Sequence, residues 1–394
     1  MIEQTPKASP LRRAGFFMAM VAIVVGASLL LCVGAELILR STGKFRTWSE
    51  LHDDGYVSPT DPSQFWLPFI GKDNHESFEY LVEQPEFVHH MKTNSLGLRE
   101  DEIVVPKPAG TRRIVGLGDS FAMGYGVEKE DTYLEVMERA LADRYPDQEW
   151  ETVNAGVAGH DPVFSEQLLR RRLLPLQPDI VLLLVNQSDV FDIVSRGGVD
   201  RFDGRGAVRP RGSWAWESAF RYSHLARAVA MARPRTGGTN WLHWEKLGPE
   251  DEEFAGRVIG EVATSLADLG EEMGFHLLLV AHPHRYQMTQ RPLDPTFKYL
   301  DKPDDQEFFQ FLDTVFAFRA AVGWGRPWSG PVGTPAPARD ETLLAPYFYP
   351  VDGHYPPAGQ ALLAREVLAA LEARGWVGVA PPPRVTPHAW PPLR

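Results

Sequence analysis

The chain has 394 residues, 44% of them hydrophobic and 23% charged, enough to bury one full-sized core and too apolar for a wholly disordered chain. A formal net charge of -12 opposes nucleic-acid phosphates, and the Arg170-Arg171-Arg172 run reads as a solvated helix face rather than a basic patch. With Cys32 as its one cysteine, the chain has no intramolecular disulfide.

Residues 1–13 form a short polar tail, and from Ala14 to Ala35 come 22 residues without a charge. At about 1.5 Å per residue such a run crosses a hydrocarbon core of about 30 Å. Val33-Gly34-Ala35 loosely resembles a cleavage site, but the run exceeds the roughly 7–15 apolar residues of a signal peptide, so an uncleaved transmembrane helix is predicted over residues 14–39. Leu29-Leu30-Leu31 suits a lipoprotein signal at Cys32 poorly. Lys7, Arg12 and Arg13 before the span nearly balance Arg40, Lys44 and Arg46 after it. A short tail inside and the large domain outside is the commoner layout, and is the expectation here.

Residues 40–110 read as a polar connector with few periodic stretches. The first buried strand is predicted over residues 113–117, followed at once by Gly118-Asp119-Ser120. A helix from Thr132 would place Tyr133, Val136, Met137, Ala140 and Leu141 on one face. A strand ending near Val153, a Gly-rich turn at 154–159 and a helix over 164–174 come next. Residues 179–185 are continuously apolar, as in a strand covered on both faces, and a turn is read at 186–189. Residues 196–249 break this rhythm as an irregular insertion. Beyond it the pattern predicts a helix over 250–273, a strand over 275–281, a helix over 304–321, a Gly/Pro-rich loop at 323–339 and a last helix over 357–373. The domain is bounded at 111–375, and the tail at 376–394 is too rich in proline for helix or sheet.

Strands alternating with helices predict an α/β fold, a three-layer α/β/α sandwich around a central parallel sheet. Sites in such sheets form at the carboxyl ends of the strands, where Ser120 and the turns at 154–159 and 186–189 all lie. A serine is a weak nucleophile at neutral pH and needs a positioned base. Asp352-Gly353-His354, just before the last helix, offers one: an Asp two residues before a His can orient the imidazole and leave its other nitrogen to take the serine proton. Each motif alone has a plainer reading, Asp119 and Ser120 as helix caps and Asp352 and His354 as an exposed turn. Two metal ligands are another reading of Asp352 and His354, but no third ligand is evident, and neither metal nor cofactor is expected.

Together these segments resemble the SGNH (GDSL-like) hydrolases, and more narrowly their bacterial members anchored by one N-terminal helix. The resemblance is carried by residues 118–127 (GDSFAMGYGV), 154–159 (NAGVAG), 178–189 from Pro178-Asp179 to Asp189, and Asp352-Gly353-His354 with Gly359. Thr93-Asn94-Ser95-Leu96-Gly97-Leu98-Arg99 also resembles a segment found ahead of the domain in those anchored proteins. It implies the flavodoxin-like SGNH sheet, Ser120 as nucleophile, His354 as base and then acid, and Asp352 as its orienting partner. The N–H groups of Ser120 and Gly159 would donate to the oxyanion. Where the family supplies a third donor from an Asn side chain, this chain has Asn186-Gln187-Ser188-Asp189, aligning Ser188 with the asparagine and leaving Asn186 as the alternative.

The implied activity is ester hydrolysis on an acylated envelope or extracellular carbohydrate, or another small ester, by a single-pass protein of the bacterial inner membrane. Its N-terminus would be cytoplasmic and its catalytic domain extracytoplasmic. Acyl transfer to a sugar hydroxyl through the same acyl-enzyme is an alternative, as is a catalytically degenerate protein that binds polysaccharide or serves envelope assembly. His282, His284, His89 and His90 read as polar loop residues, and Trp214, Trp216, Trp241 and Trp244 as packing within the insertion.

Overall fold

Unbroken apolar runs become either one exposed helix or fully buried strands. A computed structural model describes residues 10–42, 79–196, 198–201, 223–232, 248–285, 288, 300, 307–324 and 341–378. In chain order its main elements are helix α1 (Pro10–Thr42), hairpin strands β1 (Glu79–Gln84) and β2 (Phe87–Lys92), strand β3 (Arg112–Gly118) and the single turn α2 (Ser120–Met123). Helix α3 (Tyr133–Arg144), strand β4 (Trp150–Gly156), helix α4 (Pro162–Leu168), strand β5 (Ile180–Val185) and helix α5 (Gln187–Arg196) follow. Then come α6 (His224–Ala232), α7 (Pro249–Met273), β6 (His276–Ala281), β7 (Phe309–Asp313), α8 (Val315–Ala321) and α9 (Pro357–Ala373).

The chain divides into two units, Met1–Trp66 with Pro210–Gly237, and Leu67–Arg209 with Gly238–Arg394. In the first, residues 15–42 of α1 are long and apolar enough to cross a membrane. The first amides of a helix lack intrahelical acceptors. Glu36 on α1 supplies one for α6, accepting from His224 N at 3.0 Å, Leu225 N at 2.9 Å and Ser223 Oγ at 2.7 Å.

The second unit is built on a five-stranded sheet in the order β4-β3-β5-β6-β7, every neighbouring pair parallel. Strand side chains alternate between faces. Val115, Leu117, Val181, Leu183, Leu277 and Leu279 pack with α4, α5 and α7 on one side. Ile114, Ile180, Leu182, Leu184, Leu278 and Val280 pack with α3, α8 and α9 on the other. This is the three-layer α/β/α sandwich that the alternation of strands and helices predicts. From β3 the chain steps outward to β4 and then back past β3 to β5, so the order reverses between β3 and β5, where open α/β sheets bind ligands.

Four local readings change. Strand β4 runs on to Gly156, taking in half of the expected Gly-rich turn. A Cβ on Gly156 would lie 2.3 Å from Met123 N, so the strand can pass this close to α2 only without a side chain. The turn expected at 186–189 is the start of α5. The helix expected over 304–321 is instead β7 followed by the short α8, with residues 301–306 outside the described residues. The connector contains the β1–β2 hairpin, whose Val82, Phe87 and Met91 turn inward. The loop at 325–340, the proline-rich tail from residue 379 and the four insertion tryptophans lie outside the described residues.

Candidate active site

Strand β3 ends at Gly118, and Asp119 caps the next turn by accepting from Phe121 N at 2.8 Å. That cap sets Ser120 at the carboxyl edge of the sheet as the first residue of α2. Because α2 is one turn, little helix dipole stands behind Ser120, less than a full helix there would supply. Its Oγ lies 2.7 Å from His354 Nε2, and His354 Nδ1 lies 2.5 Å from Asp352 Oδ1. The three residues thus form one hydrogen-bonded line from an early loop to a late one.

The loop bearing Asp352 and His354 is closed on itself. Tyr349 N donates to His354 O at 2.8 Å, and Gly353 N donates to Tyr349 O at 3.0 Å. Gly353 sits at φ +90, a region disfavoured for residues with a Cβ, and that allows the sharp reversal between Asp352 and His354. Tyr349 Oη donates to Gly126 O at 2.7 Å, tying this loop to the one that follows Ser120. The His354 ring packs on Phe121, with centroids 4.4 Å apart, and on Tyr125 at 5.0 Å. Burial pushes the Asp352 carboxyl up, but the hydrogen bond and charge of His354 outweigh it, and its pKa is lowered.

Of the two expected side-chain oxyanion donors, Asn186 sends one amide proton to Asp119 Oδ2 at 2.9 Å and the other toward His282 Nε2 at 3.3 Å. The Ser188 hydroxyl has one proton and two acceptors, Asn186 Oδ1 at 2.7 Å and Asp119 Oδ2 at 3.1 Å. Every proton on both side chains is therefore engaged within the Asp119 cluster. Gly159 follows β4 at φ +75, in the short turn closed by His160 N donating to Val157 O.

Residues 117–304 match the model of the GDSL-like Lipase/Acylhydrolase family. That segment is a GDSL-like lipase/acylhydrolase domain. It contains Ser120, Gly159 and Ser188 and ends before Asp352 and His354. Solved structures similar to the chain include the lipase Lip_vut3 from a goat rumen metagenome, at 11% identity and a TM-score of 0.42, covering 68% of this chain and 99% of that one. The acetylxylan esterase Axe2 from Geobacillus stearothermophilus is another, at 15% identity and a TM-score of 0.36, covering 68% and 96%. No curated protein matches the chain.

The structure places three histidines differently from a reading of them as polar loop residues. His282 is fully buried, its Nδ1 2.9 Å from Tyr355 Oη, and burial lowers its pKa to about 4. His89 is likewise fully buried on β2, packed between Phe87 and Tyr125. His284 faces Gly353, and burial lowers its pKa to about 4. The sheet register carries the signal for His282: Val185 pairs with Ala281, so Asn186 and His282 leave adjacent strands side by side.

Two further groups hold the frame. Arg99 is buried and donates to the carbonyls of Met123 at 3.0 Å, Gly124 at 2.6 Å, Val127 at 2.6 Å and His90 at 3.1 Å. It shapes the loop that carries Tyr125. Glu86, in the turn of the β1–β2 hairpin, accepts from Val351 N and Asp352 N.

Proposed function

We propose that the chain is a serine-nucleophile ester hydrolase in which Ser120 attacks the ester carbonyl, His354 takes the Ser120 proton and Asp352 orients His354. The observation that carries this reading is the 2.7 Å approach of Ser120 Oγ to His354 Nε2, with Asp352 on the opposite ring nitrogen. In the first step the Ser120 oxygen bonds to the carbonyl carbon while Nε2 accepts its proton. His354 then returns that proton to the departing alkoxide as the tetrahedral intermediate collapses to an acyl-enzyme. Water repeats the sequence, releasing the acid and restoring Ser120.

With the protons of Asn186 and Ser188 engaged elsewhere, the oxyanion donors in this reading are the backbone N–H groups of Ser120 and Gly159. Removing one donor from an oxyanion hole typically costs about 10²–10³ in rate, so turnover is expected to be slow for such a site. The apolar α1 supports placing the domain on a membrane through an uncleaved anchor, with an acylated carbohydrate or related small ester outside the cytoplasm as substrate.

Full-length protein in detergent is expected to hydrolyse p-nitrophenyl acetate, and Ser120→Ala to lower kcat by about 10³-fold or more. Equal turnover by the Ser120→Ala protein would sink the assignment.

A further inference from the structure

A buried chain of hydrogen bonds joins the residue before Ser120 to the residue after His354. Each proton in it is fixed by a neighbour able to play only one part. The Pro283 carbonyl can only accept, so Tyr355 Oη donates to it at 2.5 Å. Tyr355 Oη then accepts from His282 at 2.9 Å, which puts the ring proton on Nδ1. Ser188 N can only donate, and it does so to Asn186 Oδ1 at 2.8 Å, which fixes the amide orientation. Asn186 Nδ2 therefore donates twice, to His282 Nε2 at 3.3 Å and to Asp119 Oδ2 at 2.9 Å. Asp119 Oδ1 in turn accepts from Phe121 N at 2.8 Å.

His282, Asn186 and Tyr355 are fully buried and Asp119 is 5% exposed, so water does not replace these bonds when one is lost. Phe121 packs on the His282 ring at 5.1 Å and on the His354 ring at 4.4 Å, which adds an apolar contact to the same two ends.

We propose that His282 is a positioning residue that sets the approach of Ser120 to His354, chiefly by holding Asn186 against Asp119. It touches neither the nucleophile nor the base. As a neutral ring with its proton on Nδ1, it is the one member that bridges the end of β5 to the loop before α9. The inference rests on the reading of Ser120 as nucleophile. A histidine that merely fills this space would be replaceable by any side chain of similar volume, and a positioning histidine would not.

The test is the rate at which a fluorophosphonate labels Ser120 in the full-length chain in detergent, where Ser120 Oγ displaces fluoride from phosphorus. His282→Leu removes both hydrogen bonds and is expected to label about 100-fold more slowly, as for an ångström-scale misplacement. His282→Gln can still accept from Asn186 and is expected to recover to within about fivefold of wild type. His282→Asn reaches only the Tyr355 side and is expected to stay slow. If His282→Leu does not fold, the Gln and Asn pair decides, since both carry the same amide and differ in which partner it meets. Labelling of His282→Leu at the wild-type rate, or equal rates for Gln and Asn, overturns the proposal while leaving Ser120 as nucleophile. A wild-type chain that does not label overturns the reading of Ser120 and this inference with it.

Discussion

Glu86 accepts the backbone amide of Asp352 at 2.6 Å, across 266 residues of chain. Its carboxylate also takes the amide of Val351 at 3.0 Å. The hairpin that precedes the sheet therefore holds the loop that presents Asp352 and His354. Glu86→Ala is expected to lower kcat for p-nitrophenyl acetate by about tenfold with little change in KM, the cost of losing a charge-assisted bond. A change of less than twofold in kcat would remove the hairpin from the catalytic frame.

Arg99 serves four carbonyls through one planar guanidinium. Lysine keeps the charge but not the fork. Arg99→Lys is expected to cost about 3 kcal/mol, read from the urea midpoint, because buried carbonyls lose their donors. An unchanged midpoint would mean the loop at 123–127 is held by something else.

His282 and His89 are fully buried, and burial lowers both to about pKa 4. In the unfolded chain they titrate near 6.5, so between those values the unfolded state binds the extra protons. Stability contributed by the neutral rings is full above pH 6.5 and is lost as pH falls toward about 4, by about 3 kcal/mol for His282. Both His89 ring nitrogens lack a hydrogen-bond partner among the described residues, which makes His89→Leu the cleaner probe. The variant is expected to lose less stability than wild type between pH 6.5 and 4.5. Parallel losses in chemical denaturation would show that His89 charges freely in the fold.

Asp189 is fully buried, and burial together with the nearby Asp119 raises its pKa well above the ordinary value. A raised carboxyl favours folding below its unfolded pKa and gives that contribution up as pH rises through the folded one. Asn186 N donates to Asp189 Oδ2 at 2.6 Å, an acceptor that asparagine can also supply. Asp189→Asn is therefore expected to match wild-type stability near pH 3.8, the ordinary carboxyl value, and to exceed it at pH 9. Urea titrations at the two pH values check this, and a loss at pH 9 would mean the carboxylate is ionised and needed.

The sheet was legible because Ile180–Val185 and His276–Ala281 lie in runs too apolar for any surface, and the last helix because its apolar spacing is regular. Ser120, Asp352 and His354 were legible because short motifs at the ends of those elements carried them. The hairpin was hidden because its inward positions include His89 beside Phe87 and Met91, so polarity broke the alternation. Strand β7 was hidden for a related reason: five residues at the sheet edge, most only half-buried, cannot be told from a helix start. The partners of Asn186 and Ser188 depend on a strand pairing that local pattern does not encode.

The bond between Ser120 and His354 spans 234 residues, with the proposed nucleophile made early and its proposed base late. At synthesis rates of about 5–20 residues per second, roughly 10–50 s separate their appearance. Through that interval Ser120 lacks the base proposed for it, so on that reading a nascent chain is chemically silent while its parallel sheet is already being laid down. On the proposed roles, arrival of the closing loop doubles as the moment of activation.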